Sequence, residues 1–299
     1  MFAKDLDIDK YSVLVAAGGD GTYHEVINGM LARDDKRKIP IAVIPNGSGN
    51  DLCSAIGVWT LDHALDYICK GECTAIDTVR CLLDHESEDT LPEGEERWKH
   101  CRHMDISAGI AICGKINEGA NPYKKCCGKV SYEIATIIQS CKGNFVNEDF
   151  EMEIDGQKVE KYEIVRSVCI IFLNGKYTGG GMVANPFACI NDGLVDITWA
   201  DHPDYQSLLG IADLLTQAKK GQGTQAYNGK SRYMRGRKIK MTFNGRPGDP
   251  PGKVYGQQLI SIDGENLRYD KFLVMEAMPH NYEVMFDSEA YFKEFNSFV

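Results

Sequence analysis

Two short stretches hold the residues best suited to phosphate chemistry. The first is Val13-Leu-Val-Ala-Ala-Gly18-Gly19-Asp20-Gly21-Thr22. The second is Ile41-Ala-Val-Ile-Pro45-Asn46-Gly47-Ser48-Gly49-Asn50-Asp51. In each, an apolar run enters a glycine-rich turn with one carboxylate, and a helix-like pattern leaves it. This layout predicts two backbone-rich loops at neighbouring strand ends, where helix N-termini receive phosphate. Glycine is needed because a Cβ would block the close approach of N–H groups to a polyphosphate. Asp20 repels phosphate directly, so its work there is through Mg²⁺ or through the proton of an attacking hydroxyl. Thr22 is placed to cap the next helix, with Glu25 at the capping-box position. One such turn would read as an ordinary strand-to-helix connection; the pair predicts an ATP-type phosphoryl site.

These turns need a scaffold, and the flanking pattern supplies one. Strands are expected at 12–17, 40–45 and 75–83, with helices at 22–32 and 49–56. A third helix is capped by Thr60, runs through Cys69 and stops at Gly71. This βαβα order predicts a parallel α/β sheet. The acidic stretch 84–96 has no periodicity and reads as a mobile insertion. Beyond it the chain is β-rich. Strands are expected at 103–113, 150–154, 159–164, 167–173, 194–199, 238–243, 258–262, 272–277 and 282–285, with Asp155-Gly156 as a hairpin turn. Helices are expected at 131–141 and 204–219. Segment 288–298 reads as an amphipathic helix docking back on the first domain. The expected division is 1–100, an α/β nucleotide domain; 101–287, an antiparallel β-sandwich; and 288–299, the docking helix.

Composition narrows the classes. The chain has 299 residues and a formal net charge of −10, which argues against general nucleic-acid binding and against electrostatic capture by anionic lipid. No apolar run reaches the length of a membrane span, and no signal-peptide region opens the chain, so a cytoplasmic location is expected. The eleven cysteines include no C-x-x-C pair and read as reduced, mostly buried thiols. Cys101-Arg-His103 lacks the second ligand pair a zinc site needs. Lys230, Arg232, Arg235, Arg237, Lys238 and Lys240 form a basic patch, either for a phosphate or lipid headgroup or as a solvated strand face.

The motifs resemble the diacylglycerol kinase catalytic family, which includes bacterial lipid kinases, sphingosine kinases and ceramide kinase. Gly18–Thr22 matches its GGDGT signature and Pro45–Asp51 its P-x-G-[ST]-x-N-D element. Asn174-Gly175, Gly179-Gly180-Gly181, Pro186-Phe-Ala188 and Asn191–Asp196 match its second-domain block. Ile262-Asp263-Gly264-Glu265 matches its DGE element. The resemblance implies a phosphofructokinase-like α/β domain and a β-sandwich with the active site between them. It also implies ATP and Mg²⁺ as cofactors and a lipid hydroxyl as acceptor. The implied nucleotide site is Gly18, Gly19, Gly21, Thr22, His24, Glu25, Gly47, Ser48, Gly49, Asn50 and Asp51. The catalytic carboxylates are Asp20, Asp263 and Glu265, with Glu265 favoured as base and Asp20 as the Mg·ATP partner. Gly264 permits a bend that turns both Asp263 and Glu265 to the cleft. By the same resemblance Asp192, with the carbonyls of Cys189 and Leu194, holds a structural Mg²⁺.

Two departures from the family pattern set further expectations. Only 17 residues precede Gly18, where the family has one or two further βα units, so weak ATP binding and little turnover are expected of residues 1–299 alone. Sphingosine kinases carry an acid shortly after the glycine matching Gly109. Here Ile110–Ile116 has none and includes Lys115, which favours a neutral acceptor such as diacylglycerol or a ceramide-like lipid. Against this, His24–Leu31 resembles the sphingosine kinase branch. The competing readings are a catalytically impaired lipid-binding module and an NAD kinase or phosphofructokinase. The Pro45–Asp51 element argues against the latter pair. The expected partner is a membrane lipid met by transient peripheral contact, with a homodimer left open.

Overall fold

The structure, a computed structural model, describes residues 3–127, 130–142, 150–159, 169–200, 202–220, 231–244 and 258–298. The chain opens with strand β1 (Leu14–Gly18), helix α1 (Asp20–Leu31) and strand β2 (Ile41–Pro45). β1 and β2 pair in parallel from Leu14↔Ile41 to Gly18↔Pro45, so both glycine turns leave the same end of the sheet. Helices α2 (Asp51–Ala55) and α3 (Leu61–Lys70) follow. Thr60 caps α3 by accepting the His63 N–H at 3.2 Å, and Gly71 ends it at φ 71°, as the sequence predicts.

The β-rich part begins with β3 (Cys73–Leu83), a short helix α4 (Arg97–His100), β4 (Cys101–Met104) and β5 (Ser107–Ala111). Helices α5 (Ile112–Cys127) and α6 (Val130–Cys141) cross over to β6 (Phe150–Ile154) and β7 (Gln157–Lys158). Then come β8 (Cys169–Leu173), β9 (Tyr177–Thr178), β10 (Met182–Val183), β11 (Val195–Trp199) and α7 (Leu208–Lys219). The last elements are β12 (Arg232–Gly236), β13 (Lys238–Phe243), β14 (Gln258–Ile262), β15 (Glu265–Tyr269), β16 (Phe272–Met285) and α8 (Ser288–Phe298).

Two sheets organise the molecule. A mixed sheet runs β1-β2-β16-β13-β6-β7, with β3 on β16 and β4 on β3. An antiparallel sheet runs β12-β11-β8-β5-β14-β15. Their facing side chains, among them Val79, Phe150, Phe172, Trp199, Met241 and Ile260, form a buried core between the sheets. A second core lies under α1 and α3, built on Tyr23, Ile27, Ile41, Leu52 and Ile76. Burial of this apolar area is the main term holding both halves.

The two-part fold matches the expectation, with informative differences. β3 is not a third parallel strand. It runs antiparallel to β16 and β4, because a strand that returns through β4 needs no crossover helix. The 103–113 run splits into β4 and β5 at Asp105-Ile106, whose N–H groups are taken by a side chain described below. Helix α5 escapes the sequence reading because Gly114, Gly119 and Pro122 break its pattern. Strands expected at 272–277 and 282–285 are one strand, β16, with an irregularity between Met278 and Tyr282. β12 and β15 are further strands the pattern did not mark. The 84–96 stretch is not bare loop. Glu88 pairs with Arg80 and Arg97, and Glu86 with Lys240 at 2.6 Å. The Asp155-Gly156 turn has φ 52° and 78°, both positive as a two-residue hairpin turn requires. Residues 160–164, 167, 168 and Lys230 of the sequence expectations lie outside the described residues.

α8 packs through Tyr291, which is buried in the first core, and its hydroxyl accepts the Ile190 N–H at 3.1 Å. α1 is stitched to β4 by Asn28. Its Nδ2 donates to the carbonyls of His103 (2.7 Å) and His24 (2.9 Å), and its Oδ1 accepts the His103 N–H (2.8 Å). Asn28→Ala leaves the β4 edge without these partners. We expect a loss of about 2–3 kcal/mol in urea unfolding, from two interior backbone groups left unmade. An unchanged midpoint would show that water replaces the amide at no cost.

Candidate active site

The two glycine turns touch. Asn46 N–H donates to Gly18 O at 2.8 Å, extending the β1–β2 ladder past Pro45. A Cβ on Gly19 would stand 3.0 Å from Gly47 Cα, and one on Gly47 would press still closer on Gly19 Cα. Only glycine at both places lets the two backbones meet. Asn50 adopts a left-handed conformation at φ 59°, and its side chain clasps Gly47, accepting N–H at 2.8 Å and donating to the carbonyl at 3.1 Å. Asparagine tolerates that backbone better than most side chains. A Cβ on Gly49 would collide with Asp20 Oδ2.

Helix α1 starts at Asp20 with Gly19 as its N-cap, and no side chain caps it. Thr22 therefore does not cap the helix, and its backbone N–H bonds Gly19 O at 2.8 Å instead. The Thr22 side chain fills the space beside Gly18. The capping box does not form either. Glu25 is exposed and lies near Arg102.

Asp20 and Asp51 sit side by side. Asp20 Oδ1 accepts the Leu52 N–H at 3.2 Å. Burial, and then the neighbouring Asp51 charge, push its carboxyl up to about 7. Asp51 is buried and accepts the N–H groups of Gly180 (3.0 Å) and Gly181 (2.7 Å). Gly179, Gly180 and Gly181 all have positive φ, so the loop between β9 and β10 folds over the second turn, held there by Asp51. Burial pushes the Asp51 carboxyl up. Asp51 thus joins the second-domain block to the nucleotide turn, and Asp20 is the carboxylate left to meet a cation. An oxygen donor disfavoured by a like charge fits a hard divalent ion.

The DGE turn divides its two carboxylates, which corrects the expectation that both face the cleft. Asp263 is fully buried at φ 47°. Its oxygens accept the N–H groups of Asp105 (2.9 Å), Ile106 (3.0 Å) and Ser107 (3.0 Å), and Oδ2 lies 2.9 Å from His24 Nδ1. Burial raises its carboxyl, but its contacts with Asp105 and His24 outweigh that and hold it below the ordinary value. Asp263 is therefore a positioning residue. His24, expected beside the nucleotide, is buried against Asp263 instead. Asp105, which the sequence reading passed over, is buried with neither oxygen given a donor, and burial drives its carboxyl well up. His24, Asp105 and Asp263 present ligand atoms within 4.8 Å of one another. Yet Asp263 already accepts four hydrogen bonds, so a proton on Asp105 suits this cluster better than a metal. Glu265 is exposed, with Oε1 3.1 Å from where a Cβ on Gly21 would stand. The bare Gly21 lets Glu265 close on the first turn.

The Asp192 turn does not keep a cation place. Asp192 Oδ2 pairs with Arg235 at 2.7 Å and Oδ1 accepts the Leu194 N–H at 3.1 Å. Asp192, expected to hold Mg²⁺ with the Cys189 and Leu194 carbonyls, is thus engaged by a guanidinium instead. In the basic patch, Arg235 also reaches Asp196, Lys238 reaches Glu276, and Lys240 pairs with Glu86. These pairs favour the strand-face reading.

Comparison with known proteins identifies the family and the fold. The diacylglycerol kinase catalytic domain profile matches residues 1–81, and the YegS C-terminal NAD kinase beta sandwich-like domain profile matches 105–285. A diacylglycerol kinase of Mycobacterium tuberculosis is 28% identical over 201 residues, covering 66% of this chain and 58% of that protein. Sphingosine kinase B of Dictyostelium discoideum is 38% identical over 89 residues, 29% of this chain and 11% of that protein. The chain thus spans little over half the length of the mycobacterial relative. A Bacillus anthracis diacylglycerol kinase structure superposes with a TM-score of 0.60 at 17% identity, covering 94% of this chain and 78% of the other; it shows the fold alone.

Two outcomes test the site. The folded Asp20 carboxyl holds its proton more tightly than the unfolded one, so its contribution to stability is full below about pH 4 and is lost as pH rises through about 7. In metal-free buffer Tm should fall across that window, and Asp20→Asn should flatten the fall; parallel melts at pH 5 and 8 measure it. Gly47→Ala forces a methyl onto the Gly19 backbone, and we expect about 1–3 kcal/mol of destabilisation in chemical unfolding.

Proposed function

We propose, for a chain that belongs to the lipid kinase family with a diacylglycerol kinase catalytic domain and a YegS-type C-terminal domain, an ATP- and Mg²⁺-dependent transfer of phosphoryl to a lipid hydroxyl. The observation that carries this reading is Glu265 resting over Gly21, one residue from Asp20. It brings an exposed carboxylate from the second domain to the phosphate turn of the first. Bound Mg²⁺ would supply charge neutralisation for the phosphates. The chain's own part is distinct. The Gly19 and Gly47 turns offer closely packed backbone for a polyphosphate, and Asp20 is the carboxylate placed to hold the cation. Glu265, exposed over Gly21, accepts the proton of the acceptor hydroxyl. Asp263 and His24 keep the turn carrying Glu265 against α1.

The acceptor reading rests on the stretch after Gly109. Ile110–Ile116 has no acid, and the next one, Glu118, faces Lys115 at 3.8 Å. That supports diacylglycerol or a ceramide-like lipid over sphingosine. Such a lipid would be met at a membrane surface, and no described helix is long and apolar enough to cross one.

Radiolabelled ATP with mixed micelles of diacylglycerol, ceramide or sphingosine tests both parts. Wild type should label the neutral lipids above sphingosine. Glu265→Gln and Asp20→Asn should each lower kcat by roughly 10²-fold or more, the scale of a lost general base or metal ligand. Turnover retained in Glu265→Gln would remove it as the base, and sphingosine labelled first would overturn the acceptor assignment.

A further inference from the structure

We propose that the Tyr23 hydroxyl is a positioning group for nucleotide: it pins the ends of β1 and β2 together so that the two glycine turns keep one spacing, and the Cys53 thiol orients it. The inference rests on the kinase reading above and adds residues to that site. Tyr23 is fully buried. Its hydroxyl lies 2.6 Å from Gly18 O and 2.8 Å from Ile44 O, and Cys53 Sγ donates to it at 3.2 Å.

The sheet pairing ends at this point. Gly18 and Pro45 form the last pair of the parallel ladder, and Gly18 O takes the Asn46 N–H. Beyond it the two turns depart, and the phenol supplies one more donor from α1, shared by a carbonyl on each strand. Phenylalanine would fill the same volume but leave that donor out. One phenolic proton serves two carbonyls, and the thiol directed at its oxygen keeps that proton turned toward them. Burial pushes the Tyr23 phenol well up and the Cys53 thiol to about 12, so both stay protonated. Because Gly19 and Gly47 are in backbone contact, any splay at Gly18 and Ile44 passes directly to the phosphate turns.

The test uses the full chain with Tyr23→Phe, and Tyr282→Phe as comparison. Tyr282 is also buried in the same core, and its hydroxyl donates to Ile39 O at 2.9 Å, away from the turns. Three quantities are read: backbone amide exchange at 46–50 without nucleotide, the Kd of Mg·ATP by calorimetry, and KM for ATP and for lipid separately. Tyr23→Phe should speed exchange at 46–50 and raise Kd and KM for ATP roughly tenfold, with KM for lipid unchanged. Tyr282→Phe should lower Tm without either effect. Cys53→Ser, which keeps a donor, should stay near wild type, while Cys53→Ala moves toward Tyr23→Phe. Exchange at 46–50 no faster than in Tyr282→Phe, or equal changes in both KM values, would overturn the proposal. Wild type that binds no Mg·ATP would sink the kinase reading, whereas faster exchange in Tyr23→Phe would still identify the clamp.

Discussion

The carboxylate of Asp263 is the point on which the two halves meet. It sits between α1 and the β4–β5 break and accepts three consecutive backbone N–H groups as well as the His24 contact. Those amides cannot join a strand ladder, because the chain turns there from one sheet into the other. A buried N–H without a partner is costly, so one side chain settles three such costs and fixes the crossing. The same residue lies two positions before Glu265. Whatever places Asp263 places Glu265, which is why the carboxylate of the second domain arrives over Gly21, with Arg102 near it.

Negative charge is concentrated here and handled by three separate means. Asp51 spends its charge on glycine amides. Asp105 is buried with neither oxygen given a donor, and burial drives its carboxyl well up. Asp20 accepts backbone N–H groups of Leu52 and Asp51 and has a like charge beside it. The site thus gathers its acidic groups around Asp20 rather than in a diffuse patch, and the glycines let backbone approach that carboxyl closely.

Much of this was legible in the sequence. The two turns, the hairpin at Asp155-Gly156 and the Thr60–Gly71 helix all rest on local rules, namely positive φ and capping, which need no tertiary information. The division of Asp263 from Glu265 was not legible. A D-G-E triplet gives no sign of which carboxylate is drawn inward, since that is decided by amides some 157 residues earlier in the chain. Asp192 misled for the same reason: its rival cation, Arg235, comes from β12, a strand the pattern did not mark. Tyr23 was in plain view, yet a tyrosine in a helix's first turn reads as core until its hydroxyl is seen to reach two strand ends.

β16 has a consequence for how the molecule comes to exist. It lies between β2 and β13 while also pairing β3 along most of its length. The early α/β unit therefore closes one flank of its sheet with a strand more than 200 residues further along the chain. Such non-local closure slows folding and keeps apolar strand edge exposed meanwhile. The contacts that close the sheet beside the phosphate turns are thus among the most non-local in the molecule.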